Sequence, residues 1–227
     1  MINFFRNHKN KRSEFELCED SKTSTVFEIL SLFPNNILWG ILCKSAEIKD
    51  DINPGEFCDI PFWPKWKSFG TSNSQFVEPD VLIEFSELNI IVEAKINNSN
   101  PQTESQWQNE ILAYSNHTWN NRQFILIAVD GNGNEGCLGK ETVGFSIPNS
   151  FIGVYKTDWN AIIKAVNENA NIPLSLKKYF DEALSLFGHS YYEPLDKFFA
   201  CWEPWLDSCI KPSLMKKSYE FLNSLKY

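Results

Sequence analysis

Glu78-Pro-Asp80-Val-Leu-Ile-Glu-Phe85-Ser-Glu-Leu-Asn89-Ile-Ile-Val-Glu93-Ala-Lys95 is the stretch that decides the fold. It holds two β-prone runs, Val81 to Phe85 and Asn89 to Lys95, separated by Ser86 to Leu88, and this pattern predicts a β-hairpin. Side chains at i and i+2 of a strand share a face, so Glu93 and Lys95 project together while Val92 and Ala94 point the other way. A turn centred on Glu87 pairs residues whose numbers sum to about 174, which sets Asp80 opposite Ala94 and beside Glu93 and Lys95. Three ionisable groups then meet at one edge of a sheet otherwise built from Val, Leu and Ile.

That meeting has chemical consequences. Two carboxylates a few ångströms apart repel unless a cation neutralises them, and oxygen ligands with a backbone carbonyl beside them suit Mg²⁺ or Mn²⁺. Asp80 and Glu93 are the candidate metal ligands, and the Ala94 carbonyl is a third. Lys95 is placed to orient or help deprotonate a water and to stabilise charge developing on a phosphate. An isolated Glu-x-Lys triplet is usually a solvated pair on an edge strand. Here the charges stand among buried β residues and demand partners.

Outward from the hairpin, helices and strands interleave. Toward the N-terminus, Val26, Phe27, Leu30 and Phe33 recur at helical spacing before Pro34, and a second helix is expected from Ile37 to about Glu47. Residues 50–76, with their prolines, glycines and tryptophans, read as loop or edge strand. Toward the C-terminus, Gln102 to Asn116 reads as a helix with Trp107, Ile111 and Tyr114 on one face. Phe124 to Val129 reads as a strand buried on both faces, then a loop from Asp130 to Asn134. That loop resembles an EF-hand in part, with Glu141 at its twelfth position, but Glu135 stands where the turn requires Gly and an apolar strand precedes it. Phe151 to Lys156 reads as a strand leading into a helix capped by Asp158 and running to Val166. The expected class is α/β with a mixed central sheet flanked by helices. We divide the chain into a core, 1–170, and a helical, aromatic-rich C-terminal cap, 171–227, containing Phe180, Leu184, Phe187, Phe198, Phe199, Trp202, Trp205 and Phe221.

Pro79-Asp80 and Glu93-Ala-Lys95 match the motif of the PD-(D/E)XK nuclease superfamily, and over roughly residues 14–166 the order of elements resembles that restriction-endonuclease-like fold. Glu19-Asp20, Thr23 and Leu32-Phe-Pro34 also resemble the opening of uncharacterised bacterial members. The resemblance implies Mg²⁺- or Mn²⁺-dependent hydrolysis of phosphodiester bonds in DNA, in restriction, phage defence or repair. It also implies an acidic residue from the first helix, Glu19 as first choice and Glu28 as second, and an assisting Gln106 on the helix after the hairpin. Gln106, Glu110 and Tyr114 share one helix face. RecB-like relatives carry Gln and Tyr four apart, a position that Glu110 fills here. A homodimer or a partner protein of a defence system fits the same resemblance. The alternatives are a binding or assembly module of this fold without cleavage, and a nuclease directed at RNA.

Composition narrows the field. The 227 residues carry a net charge of −8, so a generic nucleic-acid-coating protein is excluded, though an enzyme that collects cations is not. With 18 Phe, 8 Trp and 7 Tyr there is ample material for a core, and disorder and coiled coil are excluded. No apolar stretch approaches the ~20 residues of a membrane helix, so no membrane partner is expected. The basic N-terminus has no secretory apolar region, which predicts a cytosolic protein with reduced cysteines. The six cysteines include no C-x-x-C pair, which disfavours zinc, and Cys201 and Cys209 lack the two further clustered thiols of an iron–sulfur site.

Overall fold

The computed structural model describes residues 17–49, 51–73, 75–97, 99–117, 122–131, 139–141 and 148–191. The elements in chain order are α1 (Glu19–Leu30), α2 (Asn35–Ala46), β1 (Phe57–Asp59), β2 (Trp66–Lys67), β3 (Phe76–Val77), β4 (Val81–Phe85) and β5 (Leu88–Ala94). They continue with α3 (Glu104–His117), β6 (Gln123–Val129), β7 (Gly139–Glu141), β8 (Phe151–Thr157), α4 (Trp159–Glu168) and α5 (Leu174–Ser185). Six strands form a mixed sheet in the order β1-β4-β5-β6-β8-β7, and β2 and β3 form a separate two-stranded sheet. Strands β5, β6 and β8 are parallel, while β4 and β7 pair antiparallel with their neighbours. The expected mixed α/β sheet flanked by helices is therefore what the chain forms.

Alternation along β5 sorts the two faces. Ile90, Val92 and Ala94 join a core with Val26, Phe27, Leu38 and Ile162 from α1, α2 and α4. Ile91 joins a second core with Trp107, Ile111 and Tyr114 of α3, and its same-face neighbours Asn89 and Glu93 are hydrogen-bonded to that helix. Strand β6 is buried from Phe124 to Val129 because it has a strand on each side and helices on both faces.

The hairpin register differs from the expected one by a single residue. Val81 pairs with Val92 and Leu82 with Ile91, so partner numbers sum to 173. The cause is the turn: Leu88 belongs to β5, leaving only Ser86 and Glu87 between the strands. Directly opposed residues share a face, and a one-residue slip reverses every side chain. Extended by one step, the observed register sets Asp80 across from Glu93 and on its face; the register summing to 174 would have aimed Asp80 away with Ala94. The segment before β1 secures this turn, with Ser86 N–H donating to Glu56 O (2.8 Å) and Glu87 N–H to Pro54 O (3.0 Å). Between them Gly55 adopts φ +75°, where a Cβ would lie 2.0 Å from Ser86 Oγ.

Helix ends shift by a few residues. Helix α1 begins at Glu19, well ahead of Val26 where the apolar spacing starts, because Cys18 and Ser21 form a capping box there. It stops at Leu30, before Phe33. Helix α2 ends with Glu47 in the left-handed conformation (φ 51°), and Asp158 caps α4 by accepting from Ala161 N–H at 2.7 Å. Glu141 lies in strand β7. Helix α5 packs on α1 and α4 through buried Phe180 and Leu184. Phe198, Phe199, Trp202, Trp205, Phe221, Cys137, Cys201 and Cys209 lie outside the described residues. Among the described residues, Cys18, Cys43 and Cys58 take part in no disulfide. No helix among the described residues is long and apolar enough to cross a membrane.

Candidate metal centre

The parallel strands end side by side, with Lys95 N–H donating to Val129 O and Asp130 N–H to Thr157 O. Functional groups collect at this carboxyl edge. Asp80, just before β4, accepts from Ala94 N–H through Oδ2 at 2.8 Å. Lys95 Nζ donates to Glu93 Oε1 (2.6 Å), to Glu19 Oε1 (3.2 Å) and to Ala94 O (3.2 Å). The other Glu19 oxygen accepts from Ile96 N–H at 3.1 Å. One carboxylate oxygen from each of Glu19, Asp80 and Glu93 lies within 4.8 Å of the others. Three carboxylates with the Ala94 carbonyl beside them make an all-oxygen donor set that fits a hard divalent cation.

Glu19 reaches this edge because it opens α1, whose first turn lies over the end of β5. Glu28 does not. Nine residues on, at about 100° and 1.5 Å each, it faces the opposite side of the helix some 13 Å away. Gln106 Nε2 donates to Glu93 Oε1 at 2.6 Å, and Tyr114, two turns further, receives a hydrogen bond from Asn89. Eight helical residues span about 12 Å and four strand residues about 13 Å, so α3, antiparallel to β5, keeps Gln106 on Glu93 and Tyr114 on Asn89. Glu110 stands between them, 2% exposed and within hydrogen-bonding reach of Glu93.

The electrostatics are those of carboxylates crowded in a dry place. Burial pushes Asp80 well above the usual carboxylate range, and the Glu93 charge adds to this against the opposing Ala94 N–H and Lys95. Burial also raises Glu93, with Lys95 opposing. Glu110 is raised well above its ordinary value by burial and then by Glu93. Burial alone would lower the Lys95 ammonium, but the Glu93 charge and hydrogen bond, with Glu19 and Asp80, outweigh it and hold the lysine protonated. Lys95 is thus the internal counter-ion of the cluster.

Three side chains that the motif does not include fix this edge. Trp159 Nε1 donates to Lys95 O (2.8 Å), and Lys22 Nζ donates to Ile96 O (2.8 Å) while lying 4.5 Å from the Trp159 ring centroid. Burial brings the Lys22 amine down to about 8, against the Asp130 and Glu19 charges. Gln102 Nε2 donates to Glu93 O, Val129 O and Asp130 O at 3.0, 3.2 and 2.9 Å, and its Oε1 accepts from Trp107 Nε1 at 2.6 Å. Glu110, given no role above, carried a signal in the sequence, its helical spacing from Gln106. Lys22, Gln102 and Trp159 act on backbone carbonyls, and no spacing rule predicts such partners.

No family model matches the chain. An uncharacterised protein of Pasteurella multocida (strain Pm70) is 37% identical over 123 residues, which cover 53% of this chain and 45% of that protein, so the match spans less than half of the relative's length. The small subunit of a heterodimeric restriction endonuclease aligns over 89% of this chain and 97% of its own at 12% identity, with a TM-score of 0.19. A likeness of that size carries no argument about fold or function.

Proposed function

We propose that this protein is a divalent-metal-dependent nuclease of the restriction-endonuclease-like type, hydrolysing phosphodiester bonds in DNA inside the cell. The observation that carries the reading is the convergence of Glu19, Asp80 and Glu93 around Lys95, with Gln106 on Glu93, at the carboxyl edge of the sheet. Asp80, Glu93 and Glu19, with the Ala94 carbonyl, would hold Mg²⁺ or Mn²⁺. A bound ion of this kind supplies Lewis-acid polarisation of a phosphoryl oxygen and lowers the pKa of its water. Lys95 orients that water and offsets charge on the phosphate, and Gln106 fixes the Glu93 carboxylate.

A nucleic-acid substrate is supported by the neighbouring hairpin. From Ile60 to Val77 the chain carries Lys65 and Lys67 and no acidic residue, although its net charge is −8. Phe69 and Phe76 are exposed there, Lys65 lies over the Phe76 ring and pairs with Glu78 at 3.2 Å, and the strand runs on through Glu78 and Pro79 into Asp80. Exposed aromatics with lysines suit bases and phosphates.

The test is side-by-side incubation of plasmid, single-stranded DNA and RNA with the full chain in millimolar Mg²⁺ or Mn²⁺, with Asp80→Asn and a chelator as controls. Metal-dependent cleavage of DNA that Asp80→Asn abolishes is the expected result. Cleavage confined to RNA would redirect the substrate. Metal binding without cleavage of any of the three would leave a binding module of this fold.

A further inference from the structure

We propose that the polar cavity between the β2–β3 hairpin and α3 is a base-reading pocket, which takes an unpaired nucleobase carrying an exocyclic amino group from the DNA strand held at the metal centre. This assignment rests on the nuclease reading above and adds which part of the substrate the cavity receives.

The cavity measures about 350 Å³, near the lower end of the range for small-ligand pockets and therefore sized for one small heterocycle. Its lining includes Asn73 of the hairpin and Ser105, Gln106, Asn109 and Glu110 of α3, with Val77 as apolar wall. The two walls are tied together. Asn109 Oδ1 accepts from Ser72 N–H (3.0 Å), Asn109 Nδ2 donates to Asn73 Oδ1 (3.3 Å), and Asn116 Nδ2 donates to Phe69 O (2.7 Å). Trp66 packs edge-on against Tyr114 with ring centroids 5.1 Å apart. A pocket held in this way is formed before its ligand arrives.

The chemistry of the lining selects the occupant. Among the described residues that line the cavity none is basic, so a phosphate fits poorly, whereas amides, hydroxyls and carboxylates suit a neutral group with N–H donors. Glu110 is 2% exposed, and its Oε2 has no hydrogen-bond partner among the described residues. A buried acceptor left unmet costs more than a satisfied one gains, so it calls for a donor. The other carboxylate of the lining, Glu78, pairs with Lys65 at 3.2 Å. The exocyclic amines of cytosine, adenine and guanine supply the donor that Glu110 lacks. Thymine offers a single ring N–H between two carbonyls, and those oxygens would face the carboxylates.

Position ties this pocket to the site of cleavage. Gln106 and Glu110 line the cavity and also reach Glu93, with Gln106 Nε2 donating to Glu93 Oε1 at 2.6 Å, so these two side chains are the partition between pocket and metal centre. A base on a nucleotide adjoining the scissile phosphate reaches the cavity once it leaves its stack, which costs least in a single strand. Strand β3 leads the same way, from exposed Phe76 through Glu78 to Asp80, and Lys65 beside Glu78 sets a cation along the path of the sugar–phosphate backbone.

The experiment compares the full chain, Ser105→Trp and Glu110→Leu on oligo-thymidylate and on the same oligonucleotide with one central dC, dA or dG, with circular-dichroism melts to confirm folding. Fluorescence anisotropy in millimolar Ca²⁺ reads binding, and reactions in Mn²⁺ resolved on sequencing gels read where cleavage falls. The wild type should bind the oligonucleotides with an amino-bearing base about fivefold or more tighter than oligo-thymidylate, the effect of one net hydrogen bond, and should cut next to that base. Ser105→Trp fills the cavity from an exposed position and Glu110→Leu removes the unmet acceptor, so each should bring that ratio close to unity. If Glu110→Leu does not fold, Ser105→Trp decides alone. Equal or reversed affinities in the wild type, or a preference that a folded variant retains, would overturn the pocket. Mn²⁺-dependent cleavage without base preference would then leave the nuclease reading standing. Neither binding nor cleavage of any of these oligonucleotides by the wild type would overturn the nuclease reading and the pocket together.

Discussion

Lys95→Ala exposes the logic of the cluster. The ammonium donates to Glu93, Glu19 and Ala94 O, and its side chain is 15% exposed. Removing it leaves Glu93, 4% exposed, and Asp80, 7% exposed, without their nearest cation. Breaking a buried ion pair by deleting one partner costs about 3–5 kcal/mol. At about 2–4 °C per kcal/mol for a fold of this size, the metal-free variant should melt about 6–20 °C below the wild type at pH 8. A divalent ion can replace the lost counter-ion, so the variant should gain more from Mn²⁺ than the wild type does. A tenfold tighter Kd adds about 1.4 kcal/mol at saturating ion, or about 3–6 °C. Cleavage should nevertheless fall by about 10²–10⁴ because the water-orienting cation is gone. Thermal melts in chelator and in millimolar Mn²⁺ make the comparison. If Lys95→Ala melts within about 2 °C of the wild type in chelator, Lys95 is not the counter-ion, and if Mn²⁺ recovers nothing, the carboxylates do not hold the ion.

Asp80→Asn should remove most of the Mn²⁺-induced rise in melting temperature, which calorimetry can corroborate as lost binding. In chelator, Asp80, Glu93 and Glu110 have folded-state pKa values above their unfolded ones, so the native chain keeps protons that the unfolded chain releases. Their stabilisation is full below about pH 4, the unfolded value, and is lost as pH rises through the raised folded values; urea titrations across that range should show Glu110→Gln with a shallower decline than the wild type. Gly131→Ala places a Cβ 2.7 Å from Asn100 O and 2.7 Å from Lys95 Cγ at a φ of +67°, so it should lower cleavage and cost about 1–2 kcal/mol in denaturant melts, whereas a silent substitution would mean that the edge yields freely. Trp159→Phe removes the hydrogen bond to Lys95 O and should destabilise by about 1–3 kcal/mol, and a rise in KM with unchanged kcat would show that Lys95 is not held by it.

The sequence by itself determined the element types and the strand that carries the chemistry. The β-prone runs Val81 to Phe85 and Asn89 to Lys95 and the apolar run at Phe124 mark strands wherever they pack, and the Asp158 cap marks the start of α4, because each signal acts over a few residues. The same locality put Glu93 and Lys95 on one face. What only the tertiary structure decided was the placement of groups across elements. Whether Asp80 joined that face depended on a one-residue difference in turn length, which fixes the parity of the hairpin and which composition does not encode. The choice of Glu19 over Glu28 followed from where α1 begins, itself set by the capping box at Cys18 and Ser21. Glu110 sat in plain view four residues after Gln106, yet its meeting with Glu93 required α3 to lie antiparallel on β5 at matching rise. Lys22, Gln102 and Trp159 bind carbonyls at the strand ends, and a backbone carbonyl has the same chemistry at every residue, so only the fold selects which one a side chain reaches.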